Sequence, residues 1–185
     1  MDVAKRDKVL AAALDIFLRY GYKRATMNDI AEAAGISRPA LYLVFEGKEV
    51  VFKSVYEQWV KETLIAIESE IGRLKAPEDK LRAAFEQWTV RSFERMRTSS
   101  EAAELLESTF GFAQDSVNQG YRSFEKIIVP VLKSHSKFQS ARPKVSAEKT
   151  ARILSGAVRG FKVLAKDVPE LRSLIKELLI LLLDD

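Results

Sequence analysis

The sequence predicts an all-α protein of about nine helices, and three observations carry that expectation. Apolar residues recur at three- and four-residue steps along nearly the whole chain, the period of amphipathic helices. Gly (8) and Pro (5) are too scarce among 185 residues to supply the turns of a hairpin-rich β fold. The longest apolar run, Leu178 to Leu183, is far shorter than the roughly 20 residues a membrane span requires. The expected architecture is a three-helix head over residues 1–47, joined by a long helix to a larger helical bundle over 48–185.

Each element follows from its own signals. Val9, Ala13, Ile16, Phe17 and Tyr20 form the stripe of a first helix that stops at Gly21, a residue free to take positive φ. Thr26 and Asp29 make a capping box that opens a short helix from Met27 to Ala34, and Gly35 ends it. Ser37 caps a third helix with Pro39 in its first turn. From Lys48 to Ala76 the periodicity continues with Gly72 as its one weak point, predicting a strut of roughly 40 Å. Pro77-Glu78-Asp79 restarts the chain into a helix marked by Leu81, Ala84, Phe85, Trp88 and Ser92. Thr98 and Glu101 suggest a further box before a short helix ending near Phe110. Asp115 to about His135 is again helical, with Pro130 expected to kink it or end it early. Residues 136–145 read as a loop. Two helices close the chain, about Ala147 to Ala165 and Val168 onward, the last opened by Asp167 and Glu170.

Composition excludes several chemistries. Without cysteine there are no disulfides, thiolate zinc sites or thiol nucleophiles, and His135 is the sole histidine. An enzyme built on the bundle therefore lacks the usual parts, and no metal or cofactor is expected. The charged start Met1 to Lys8 has no apolar secretory stretch, so a cytoplasmic location without membrane partners is the expectation. A net charge of +4 tolerates an anionic partner without demanding one.

The informative stretch runs from Met27 to Phe45. Two helices meeting steeply through a short turn need a small residue at the crossing, a residue tolerant of positive φ in the turn, and apolar filling between them. Ala31, Gly35, and Ile30, Ala34, Ile36, Leu41 and Val44 meet those demands together. Placing Leu41, Val44 and Phe45 inward turns Arg38, Pro39, Tyr42 and Leu43 outward, a face suited to the DNA major groove. Arg38 suits guanine O6 and N7, and Pro39 or Leu43 a thymine methyl. Thr26, Tyr42 and Lys48 stand where phosphates would pass. The charge is local, because residues 1–50 carry eight Lys/Arg against seven Asp/Glu.

These residues resemble the tetracycline-repressor (TetR) family of transcriptional regulators. The resemblance is carried by Ala12 to Tyr22, Ala25 to Ser37, Leu41-Tyr42, Phe45 and Lys48-Glu49. It implies a homodimer bound to a pseudo-palindromic DNA operator, acting as a repressor released by a small-molecule effector. It also implies phosphate contacts at Thr26, Tyr42 and Lys48 and base reading from Ser37, Arg38 and Pro39. The chain departs from the family's aromatic or histidine pattern at Leu43 and Val44.

In the body, the resemblance implies that the helices of residues 80–130 surround an effector pocket, with Phe85, Trp88, Phe93, Phe110, Tyr121 and Phe124 as its expected lining and a largely apolar effector, although aromatics at helical spacing also build ordinary cores. Glu101, Glu104 and Glu107 read as a solvated face. Leu154, Val158, Phe161, Leu171, Leu174, Ile175, Leu178 and Leu182 are the expected dimer interface, because the terminal helix is apolar nearly all round. The most basic stretch, Lys133 to Arg152, reads as a solvated loop, with His135 a surface residue at its start. A helical carrier or protein-interaction module without sequence-specific DNA binding is the alternative reading.

Overall fold

The computed structural model describes residues 3–97, 111–139 and 145–183, and the regular structure there is helical throughout. The expected Thr98/Glu101 box, together with Glu104, Glu107 and Phe110, lies outside the described residues. The chain forms two compact units, Met1–Lys61 with Arg95–Asn118, and Glu62–Glu94 with Gln119–Asp185. The first unit thus reaches past residue 47 into the long helix. No helix among the described residues is long and apolar enough to cross a membrane.

The first unit contains α1 (Val3–Arg24), α2 (Met27–Ala34), α3 (Arg38–Tyr42) and the start of α4 (Lys48–Ile71). Gly21 is a kink, at φ 72° and ψ 163°, after which Tyr22 to Arg24 turn helically once more. A side chain at that φ would clash with its own backbone, which is why glycine stands there. Val9, Ala13 and Phe17 of the stripe are buried. Tyr20 departs from it: its ring is exposed, with the Arg19 guanidinium 5.2 Å from the ring centre.

The capping box forms as expected. The Thr26 N–H donates to Asp29 Oδ2 at 2.9 Å, and the Asp29 N–H donates to Thr26 Oγ1 at 3.2 Å. Gly35 takes the left-handed conformation, φ 67° and ψ 36°, and the N–H of Ile36 returns to Ala31 O at 3.0 Å. Ile30, Ala31, Ala34, Leu41 and Phe45 close the wedge against Val9, Leu10, Ala13 and Phe17, with Ile36 and Val44 partly buried at its edge. Burial of each large side chain contributes roughly 1.5–3 kcal/mol, so this core holds a very short third helix in place.

α4 ends at Ile71 rather than continuing to Ala76. The N–H groups of Arg73 and Leu74 bond three residues back, to Glu70 and Ile71, tightening the last turn around Gly72.

In the second unit α5 (Pro77–Phe85) passes into a π-helical turn, Glu86–Val90, and on into the start of α6 (Arg91–Met96). The 3-10 turn Gly111–Ala113 and the start of α7 (Gln114–Ser134) belong to the first unit, and α7 then runs through Pro130 in the second instead of ending there. Pro130 is exposed, so the carbonyl left without its amide partner is near solvent. α8 (Ala147–Leu164) and α9 (Val168–Leu183) follow. Asp167 opens α9 by accepting from the Glu170 N–H at 2.8 Å, whereas Glu170 itself takes the Lys166 N–H.

Phe85, Trp88, Phe124, Ile128, Leu154, Val158, Leu171 and Ile175 form the interior of this unit. Arg172 of α9 forks onto the Glu86 carboxylate, at 2.6–3.1 Å, beside the π turn. His135 is not a surface residue: its ring is buried, Nε2 lies 3.0 Å from Glu78 Oε1, and Nδ1 accepts from the Lys137 N–H. Its position just past the α7 terminus hid the carboxylate that reaches it from α5.

Candidate nucleic-acid interface and effector region

The outward face expected on α3 is present. Arg38, Pro39, Tyr42 and Leu43 are all exposed, Leu43 at 88%, while Leu41 between them is fully buried. Ser37 caps the helix, its Oγ accepting from the Ala40 N–H at 3.3 Å. The Arg38 guanidinium lies 5.6 Å from the Tyr42 ring centre, and no carboxylate among the described residues pairs with it. A guanidinium laid on an aromatic face keeps its fork of donors free for a base edge.

Beside this helix opens a groove of about 520 Å³ lined by Lys23, Ala25, Thr26, Met27, Asn28, Arg38, Tyr42 and Lys48. Its lining carries three cations and no acid, which suits a phosphate backbone. Lys23 and Asn28 belong to it although neither was expected. Their signal was position, one at the end of α1 and the other at the start of α2, on either side of Thr26.

Two of the expected phosphate ligands have prior commitments. The Thr26 hydroxyl donates to Asp29 Oδ2 at 2.7 Å, so its hydrogen is used within the capping box. Lys48 Nζ donates to the carbonyls of Tyr22 (2.8 Å), Lys23 (3.2 Å) and Ala25 (2.9 Å) and sits 4.5 Å from the Tyr22 ring centre. An ammonium has three N–H groups, and all three are engaged. Lys48 thus caps carbonyls at and just past the end of α1 and offers the groove its charge. The Tyr22 ring in turn packs on Phe17, Phe52 and Phe112 at 5.2–5.8 Å, and burial pushes its phenol up from the usual tyrosine range.

In the second unit Phe85, Trp88, Phe93 and Phe124 are buried and Tyr121 partly so. The Trp88 ring stacks on Phe124 at 4.9 Å and meets the Tyr121 edge at 5.5 Å. These aromatics pack on one another. Burial pushes the Tyr121 phenol up to about 12. On α8, Lys162 Nζ donates to Ser92 Oγ at 2.6 Å, and burial with the nearby Arg159 charge brings its pKa down to about 8.

The residues expected at a dimer surface divide in two. Leu154, Val158, Leu171 and Ile175 are buried inside their own unit and present no contact surface. Phe161, Leu174, Leu178 and Leu182 are partly exposed. The large apolar residues left open on these two helices are instead Ile153, Val163, Leu164, Ile180 and Leu181, with Val163 at 81% and Leu181 at 78%.

Residues 9–55 match the model of the bacterial regulatory proteins, tetR family. The transcriptional activator FasR of Mycolicibacterium smegmatis is 32% identical over 82 residues, 44% of this chain and 37% of that protein. The transcriptional repressor ComR of Escherichia coli is 34% identical over 58 residues, 31% of this chain and 28% of that protein. This chain thus spans about a third of the length of the curated relatives it matches. Among solved structures, the fatty acid degradation regulator FadR from Bacillus halodurans superposes with a TM-score of 0.72 at 20% identity, over 100% of this chain and 97% of that one. FadR from Bacillus subtilis, solved with stearoyl-CoA, gives 0.72 at 17% identity, covering 96% and 97%. These likenesses establish a shared helical fold.

Proposed function

We propose that this chain, a member of the tetR family of bacterial regulatory proteins, is a transcriptional regulator that binds a pseudo-palindromic operator as a homodimer and answers to a small, largely apolar effector. The observation that carries the reading is the exposed Arg38, Pro39, Tyr42 and Leu43 face beside a cationic groove, held by a buried Leu41 and Phe45. Such a face enters a major groove, with Arg38 in bidentate contact with guanine and Lys23 and Lys48 supplying charge along the phosphates. Two copies would lie about 34–36 Å apart on successive turns. Relatives of both signs are known, an activator and a repressor, and repression relieved by the effector is the mode we assign.

The open apolar residues of α8 and α9 support the homodimer. A stable contact buries roughly 1,200 Å² or more, and Ile153, Leu164 and Leu181 are apolar surface that water otherwise covers. For the effector, the bound stearoyl-CoA of the Bacillus subtilis FadR structure supports an apolar body.

The reading is tested by incubating the purified protein with fragments of its source genome and sequencing those retained. An enriched inverted repeat with half-sites one helical turn apart is the expected result. Uniform retention without a repeat, falling steeply with salt, would leave only non-specific binding and overturn the operator assignment.

A further inference from the structure

Two of the polar groups that line the groove beside α3 are already spent. The Thr26 hydroxyl hydrogen goes to Asp29 Oδ2, and the three N–H groups of Lys48 go to the carbonyls of Tyr22, Lys23 and Ala25. Asn28 differs from both. It is the second residue of α2, and the capping box closes around it without using it, because Thr26 and Asp29 satisfy each other. Its carboxamide makes no hydrogen bond among the described residues. The side chain is exposed and lines the same space, about 520 Å³, as Arg38 and Tyr42 of α3. A free carboxamide from α2 thus shares one opening with the guanidinium that rests on the Tyr42 ring.

The helix itself gives no reason for this residue. Asn is a weak helix former, and an Asp or Glu in the first turn would gain from the helix dipole. An acid there would set a negative charge beside Lys23, Arg38 and Lys48, where the groove now has none.

The hydrogen-bonding pattern of the amide selects its target. Phosphate oxygens only accept, so a phosphate would engage the Asn28 NH2 and leave its carbonyl oxygen facing negative charge. An adenine edge in the major groove offers the N7 acceptor and the N6 donor side by side, and one carboxamide matches both. Guanine offers two acceptors, which suit the Arg38 fork and oppose the Asn28 oxygen.

We infer that Asn28 is a specificity-determining residue, reading from α2 an adenine close to the guanine that Arg38 contacts in each half-site. The inference rests on the proposed operator binding and adds a second base to what the head reads.

The test is selection from duplexes with a random core of about 25 base pairs, enough for two half-sites one turn apart, on wild type, Asn28→Ala and Arg38→Ala. Fluorescence anisotropy then compares the selected duplex with one in which the adenine pair is replaced by a G·C pair. Wild type should favour the adenine duplex by about 5- to 150-fold. Asn28→Ala should bind the two duplexes within about twofold of each other while keeping the guanine preference that Arg38→Ala loses. Alanine favours the helix, and thermal melts followed by circular dichroism should show the variant folded. A uniform loss on all duplexes with the adenine preference intact would make Asn28 a phosphate contact and overturn the inference, as would a selected sequence identical to that of wild type. Either result leaves the operator assignment standing, whereas a wild type that selects no repeat overturns both.

Discussion

At the scale of single residues, Lys48 joins structure to recognition. Its three donors close the carbonyl end of α1, and charge-assisted hydrogen bonds of this kind contribute about 1.5–3 kcal/mol. Lys48→Met should therefore lower unfolding stability by about that amount in urea titrations, and should weaken binding to all DNA sequences alike. A variant of unchanged stability would make the carbonyl contacts dispensable. Gly35→Ala should cost about 1–2 kcal/mol, because φ 67° forces a side chain into the left-handed region. Lys162 gives a pH signature. Its folded pKa, about 8, lies below the ordinary lysine value of 10.5, so between those values the unfolded chain holds more protons and stability rises with pH. Tyr121, raised to about 12, opposes that rise above pH 10. Urea midpoints at pH 7.5 and 9.5 should thus increase in wild type, and less so in Lys162→Met.

At the scale of elements, what was legible depended on whether the signal was local. The head was readable because every demand of the wedge is met within nineteen consecutive residues: Thr26 with Asp29, Gly35 and Leu41 each define a boundary or a face by short-range geometry. The π turn at Glu86–Val90 was not, since its apolar spacing resembles an α-helix that merely shifts face. His135 and Lys162 were misread or passed over because their partners, Glu78 and Ser92, come from helices distant in sequence. The expected dimer stripe is split between buried and partly exposed residues for a subtler reason. α9 is apolar on nearly all sides, so periodicity alone cannot say which side faces its own core, and the buried side proved to be Leu171, Ile175, Leu179 and Leu183. The exposed set makes its own prediction. Leu164→Lys with Leu181→Lys should yield a folded monomer by sedimentation, whereas a wild type already monomeric at micromolar concentration would contradict the assembly.

For the molecule as a whole, sequence-specific recognition requires two copies of the α3 face acting together, since one short helix contacts too few bases. A coupling of 1–3 kcal/mol between effector and operator, typical of such switches, would change DNA affinity by roughly 5- to 150-fold. The most direct measurement is a fluorescence-anisotropy titration of wild type and Arg38→Ala against the recovered inverted repeat and a scrambled duplex at one fixed salt concentration. Wild type should prefer the repeat, and Arg38→Ala should lose about 1–3 kcal/mol on the repeat for each bidentate contact while binding the scrambled duplex almost as before. Equal affinities of the two proteins for the repeat would contradict the placement of Arg38 at the bases, and with it the account of the head.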